Sequence, residues 1–157
     1  IELAIDACEE LGCPLKIVGA GPEEKILQRR AKRWTSFLGF VPDEKLPLLY
    51  RGAKALLFPQ EEDFGITPLE AAASGRPTIA FGAGGALETV VAGKTGVFFR
   101  EQTVAGMKEG IGEWQKISFD QASIRKHAEK FSKEVFMRKI EETVNKEYCI
   151  WQRREQQ

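Results

Sequence analysis

The chain has 157 residues, enough for one domain with a real core. Its 43% apolar and 29% charged content are ordinary for a water-soluble globular protein, and a formal net charge of zero argues against whole-surface attraction to nucleic acid or an anionic membrane. No apolar run approaches the about 18 residues of a membrane span, and no signal-peptide pattern is present. Three cysteines (Cys8, Cys13 and Cys149) have no metal-ligand spacing, and their odd number fits a reducing cytosol. The expected location is cytoplasmic, with a peripheral place at the inner membrane face also open.

The first segment, IELAIDACEELG (1–12), carries Ile1, Ala4, Ile5, Cys8 and Leu11 at helical spacing. No capping residue precedes it and it lacks an initiating Met, so the chain reads as a fragment of a longer protein. PLKIVGAG (14–21) reads as a strand ending in a glycine turn. It invites a dinucleotide site, but Gly19-Ala20-Gly21-Pro22-Glu23-Glu24 lacks the third glycine of that fingerprint, and residues 82–87 do not complete it either. EEKILQRRAKRW (23–34) has helical spacing with Arg29, Arg30, Lys32 and Arg33 on a face best read as solvated. TSFLGFV (35–41) is a strand running into a turn, and Asp43 is placed to cap a helix over 43–53 with Pro47 in its first turn.

KALLFP (54–59) reads as a buried strand closed by Pro59. The stretch that follows, QEEDFGITPLEAAASG, is expected to turn sharply into a helix. Thr67-Pro68-Leu69-Glu70 satisfies the capping-box pattern, with Thr67 as N-cap and Glu70 three residues on. The N–H groups of Gly65, Ile66 and Thr67 then face the mouth of a strand-to-helix turn, which attracts phosphate or a polar sugar. Glu70 reads equally as a cap and as a ligand contact, whereas Glu62 sits in an acidic run, Glu61-Glu62-Asp63, of the kind that is usually solvated. RPTIAF (76–81) returns as a strand, and the loop with Gly82, Gly84 and Gly85 opens a short helix, ALETVVAG. Those glycines serve either a sharp turn or close approach to a ligand. VFF (97–99) is a last short strand.

The remainder is helical. Val104, Met107, Ile111 and Trp114 share one face, and Phe136, Ile140, Val144 and Tyr148 form a stripe expected to be core. His127, the only histidine, is read as an inert surface residue. Five strands alternating with helices predict an α/β fold, a Rossmann-like doubly wound parallel sheet.

Several of these motifs together resemble one family. EEDFGITPLEAAASGRPTIAFGAGGALETV is similar to the signature of retaining GT-B glycosyltransferases, in which Glu, seven residues and Glu accompany a Phe-Gly-Ile or Phe-Gly-Leu; here these are Glu62, Phe64-Gly65-Ile66 and Glu70. LKIVGAGPEE, FLGFVPDEKLPLLYRGAKALLFP and GKTGVFF continue the resemblance in the same order, closely over residues 1–100. The resemblance implies one half of a two-domain GT-B enzyme, the donor-binding domain, with the acceptor domain and a first strand placed before Ile1. It implies catalytic roles for Glu62, on the sugar hydroxyls, and for Glu70, on the ribose diol. Donor contacts are implied at Gly19, Gly21, Val41, Phe64, Gly65, Ile66, Thr67, Gly84 and Gly85. The substrate is then a nucleotide sugar, a GDP-, UDP- or ADP-hexose, with GDP-mannose the first choice, and the acceptor a glycan or lipid-linked sugar. No cofactor and no metal is expected, because such enzymes neutralise the leaving diphosphate with an Arg and a Lys from before the first helix. A sugar-nucleotide epimerase of the same architecture and a non-catalytic interaction module are the alternatives.

Overall fold

The structure, a computed structural model, describes residues 1–155. Five strands alternate with helices. β1 (Leu15–Ile17) pairs with β2 (Thr35–Phe37), and β3 (Leu56–Phe58), β4 (Thr78–Phe81) and β5 (Gly96–Phe99) form a second sheet in that order. Every pairing is parallel, with Leu15 opposite Thr35, Leu56 opposite Thr78 and Thr78 opposite Gly96. The α/β class follows from the sequence pattern, with the five strands divided between two sheets.

Helices cover both faces of the three-stranded sheet. α1 (Glu2–Leu11) and α6 (Val104–Gln115) meet over one face, where Ala4, Ala7, Ile79, Val97, Phe99, Met107 and Ile111 form the main core. Leu15 and Leu57 flank this core, so α1 lies over strands of both sheets. Gly110 lets α6 approach the sheet, because a Cβ there would sit 3.1 Å from Cβ of Phe99 and 3.2 Å from Cγ2 of Ile79. The opposite face carries α4 (Ile66–Ala73) and α5 (Ala86–Thr89) over Phe58 and Ala80. α7 (Gln121–Ala128) packs on α4 through the fully buried Ile124.

α2 (Glu24–Arg30) ends four residues before the helix expected from its spacing. The cause lies on α1. Oε1 of Glu9 accepts the N–H groups of Lys32, Trp34 and Thr35 and the Thr35 hydroxyl, and Oε2 accepts the N–H of Arg33, all at 2.9–3.1 Å. Those N–H groups cannot also serve a helix, so the chain unwinds at Ala31 and turns into β2. On the same side Arg30 forms a two-pronged pair with Asp6, while Arg29, Arg30, Lys32 and Arg33 all stay exposed, as the sequence suggested. The helix expected over 43–53 divides into a 3-10 turn, Asp43–Lys45, and α3 (Leu46–Gly52), and Asp43 makes no capping bond.

α8 (Lys133–Glu155) corrects a second expectation. Phe136, Ile140, Val144 and Tyr148 are all exposed, as is Trp151, so the stripe is not core. Apolar spacing reports a face that is able to be buried, and among the described residues no element covers it.

Partial desolvation of Glu9 acts to raise its pKa, but the bonds from Arg33, Lys32, Thr35 and Trp34 outweigh it and hold the carboxyl at about 2. A depressed acid stabilises the fold in full above its ordinary value of 4.5, and this contribution is lost as the pH falls toward about 2. The expected outcome is that E9Q lowers the urea midpoint at pH 7 and flattens its fall between about pH 4.5 and 2. Equal acid slopes for E9Q and wild type would contradict this account.

Candidate active site

Each residue assigned a donor contact follows the carboxyl end of a parallel strand. Gly19 and Gly21 follow β1, Val41 follows β2, Phe64 to Thr67 follow β3, and Gly84 and Gly85 follow β4. Open α/β sheets bind ligands at that end, because the crossovers return every loop there.

The turn after β3 is built around Gly65. Its φ of 76° is left-handed, and a Cβ would stand 3.1 Å from Cζ of the buried Phe58. This glycine is the N-cap of α4, with no side chain capping it. The expected capping box of Thr67 and Glu70 therefore does not form: Thr67 is the second helical residue and Glu70 the fifth. The left-handed glycine starts the helix two residues early; Gly65 itself is buried, Thr67 half-buried and Ile66 exposed. A helix leaves its first four N–H groups without internal partners, and here proline supplies one of the four positions. The N–H groups of Gly65, Ile66 and Thr67 accordingly have no protein acceptor among the described residues. Ile66 is 65% exposed beside them and Phe64 43%.

Glu70 is exposed and points to α3, where the Tyr50 hydroxyl donates to its Oε2 at 2.8 Å. Burial, with the Glu70 carboxylate beside it, pushes the Tyr50 phenol upward, so Tyr50 stays a hydrogen-bond donor at neutral pH. This bond fixes one oxygen of Glu70. Sequence reasoning missed Tyr50, which stands in its segment as one more apolar helix residue with no motif around it. Glu62 is also exposed, and its Oε1 accepts from Nε2 of Gln60 at 3.0 Å.

The loops after β3 and β4 are pressed together. The Gly85 N–H donates to the Glu62 carbonyl at 2.7 Å. A Cβ on Gly85 would overlap the backbone of Phe64, and one on Gly84, where φ is 55°, would overlap the Glu62 carbonyl. Close approach of one loop to the other is therefore what these two glycines permit. A similar link joins the loops after β1 and β2: Gly19, with φ 112°, donates its N–H to the Gly39 carbonyl at 2.8 Å. Gly21 is exposed, with nothing within 4 Å of its Cβ position, and Val41 is half-buried. Phe40, next to it, is 78% exposed and packs in no core.

Two cavities lie elsewhere. One of about 550 Å³ runs along β5 between Gly82, Leu87, Gly93, Arg100 and Glu113, and one of about 190 Å³ opens between Ile1, Leu3, Pro59, Gln60 and Gln102. Neither includes Glu62 or Glu70, which are both exposed. Among the described residues no cluster of His, Cys, Asp and Glu could hold a metal ion, and no helix is long and apolar enough to cross a membrane.

Comparison with known proteins bears on the family and the fold. The chain belongs to the glycosyl transferases group 1 family, whose model matches residues 1–134. It is 37% identical over 106 residues to a glycogen synthase of Mycobacterium tuberculosis, covering 64% of this chain and 26% of that protein. It is 35% identical over 112 residues to a GDP-mannose-dependent α-(1-6)-phosphatidylinositol monomannoside mannosyltransferase of Mycolicibacterium smegmatis, covering 63% of this chain and 29% of that protein. The chain thus spans between a quarter and a third of the length of these two relatives. Among solved structures it resembles Anabaena Alr3699/HepE in complex with UDP and glucose, with a TM-score of 0.73 and 25% identity over 92% of this chain and 44% of that one. The fold is that of the GT-B glycosyltransferases.

Two outcomes test this geometry. G85A forces the two loops apart, and such overpacking is expected to cost about 1–3 kcal/mol in chemical denaturation. Y50F removes one hydrogen bond to a carboxylate and is expected to cost at most about 1.5–3 kcal/mol in chemical denaturation, with a smaller loss of affinity, read by titration, for a ligand that Glu70 holds, because the bond is already made without ligand. Unchanged loop structure in G85A would contradict the first expectation.

Proposed function

We propose that this chain binds the activated donor of a retaining glycosyltransferase, a nucleotide diphosphate hexose. The observation that carries this reading is the uncapped start of α4. Three N–H groups without protein acceptors among the described residues, at Gly65, Ile66 and Thr67, stand at the carboxyl end of a parallel strand in a member of the group 1 family. The positive end of a helix favours a phosphate or a developing negative charge, and donors fixed in place need no reorganisation as that charge develops on the leaving diphosphate.

Glu70 holds the ribose diol through the oxygen that Tyr50 leaves free. Glu62 holds sugar hydroxyls from the loop before Gly65, and an ionised carboxylate accepts such hydroxyls as charge-assisted bonds. Phe64 and Ile66 shape the sugar subsite, with Gly84 and Gly85 opposite. Gly19, Gly21 and Val41 border the nucleotide base. The acceptor, a glycan or a lipid-linked sugar, is bound by a further domain, and transfer needs that domain as well. The preferred donor is GDP-mannose, on the EEDFGI stretch and on the mannosyltransferase relative. The UDP and glucose of the HepE complex support UDP-glucose as the second choice.

Calorimetric titration with GDP, UDP, ADP and the matching sugars tests the reading. One nucleotide series is expected to bind, with its affinity reduced by roughly 1.5–3 kcal/mol in E70A for each hydrogen bond lost. A folded sample that binds none of them at millimolar concentration defeats the proposal.

A further inference from the structure

One turn of the chain touches both loops of the candidate site, and no motif drew attention to it. It comprises the end of α7 and the 3-10 turn Glu129–Phe131 that follows. The ring of Phe131 meets that of Phe64 edge-on, with centroids 6.1 Å apart and planes at 60°. The His127 ring lies 5.5 Å from that of Phe131, also at 60°. Nε2 of His127 is 3.0 Å from the Thr89 carbonyl, and since a carbonyl only accepts, Nε2 carries the proton. Thr89 in turn returns its hydroxyl and its N–H to the Gly85 carbonyl, at 3.0 and 3.1 Å.

The contacts therefore run from Phe131 to the loop after β3, and from His127 through Thr89 to the loop after β4. Phe64, His127 and Phe131 belong to neither hydrophobic core and are only partly buried or exposed. Here an imidazole bonds a helix-end carbonyl and an aromatic ring braces another ring next to Gly65. The turn itself is anchored, because Asp120 caps α7 through the N–H groups of Ala122 and Ser123, and Ile124 is fully buried against α4.

We propose that Phe131 and His127 are positioning residues, which hold the loops after β3 and β4 together beside the amide cluster of Gly65–Thr67. The bracing of the loops stands on contacts alone; its consequence for ligand rests on the donor reading above.

Amide hydrogen exchange of the wild type, F131A, F131Y, H127A and H127Q tests the bracing, with GDP and UDP titrations of the same proteins. An aromatic pair of this kind shifts an opening equilibrium about two- to tenfold, so F131A is expected to speed exchange of the Gly85 N–H, which crosses to the Glu62 carbonyl, by that factor, and F131Y to restore it. H127A is expected to speed exchange over 84–90, and H127Q, whose amide still donates to Thr89, to recover part of the protection. Affinity for whichever nucleotide the wild type binds is expected to fall by a similar factor in F131A and to return in F131Y. Faster exchange confined to 127–134, an equal rise through β4 and β5, or no rescue by F131Y overturns the proposal. If F131A does not fold, the H127A and H127Q comparison decides it alone: no acceleration over 84–90, or no recovery, overturns it. If the wild type binds neither GDP nor UDP, the donor reading falls, and the exchange data still decide whether the loops are braced.

Discussion

A parallel pair of strands cannot be closed by a hairpin; the chain must cross back over the sheet before it pairs again. Three such pairs are present, and α2, α4 and α5 are their crossovers. Each crossover sets its incoming loop at the carboxyl end of a strand. The residues assigned to donor binding lie far apart in sequence, from Gly19 to Gly85, yet all occupy loops of that kind. What brings two of these loops into contact is local: Gly84 and Gly85 have no Cβ where the backbone of Glu62 and Phe64 must lie. The glycine loop is thus a surface against which the β3 loop rests, and the uncapped helix start at Gly65 is held from both sides.

The candidate site is a frame of backbone groups with few side chains committed to it. The three open N–H groups follow from a left-handed glycine and a proline, neither of which contributes a functional group. Side-chain chemistry enters at Glu62 and Glu70, both exposed, and at Tyr50, which orients Glu70 from a neighbouring helix. A site of this type tolerates changes of surrounding side chain and fails when a glycine gains one.

Glu9 does for the other sheet what the glycines do for the site. One carboxylate gathers four backbone N–H groups and a hydroxyl, which ends α2 and delivers the chain into β2 in register with β1. Beside it, Arg30 and Asp6 tie α2 to α1. The exposed stripe of α8 is the counterpart: a face with the composition of a core and no cover among the described residues.

Spacing and turn chemistry carried much of the fold. Short apolar runs bounded by Gly and Pro mark all five strands, and the Glu62, Phe64-Gly65-Ile66, Glu70 pattern marks the candidate site on the turn after β3, because period and backbone freedom are local properties of a chain. Thr67 failed as a cap because the capping-box pattern is blind to Gly65, whose left-handed backbone starts α4 earlier. Glu9, Tyr50 and His127 stayed silent for a different reason. Their partners lie 20 to 38 residues away, at Lys32 to Thr35, at Glu70 and at Thr89, and only folding makes such residues neighbours. A linear pattern records which face of a helix can be buried, but what buries it, or leaves it bare as on α8, depends on elements that meet only when the chain has packed.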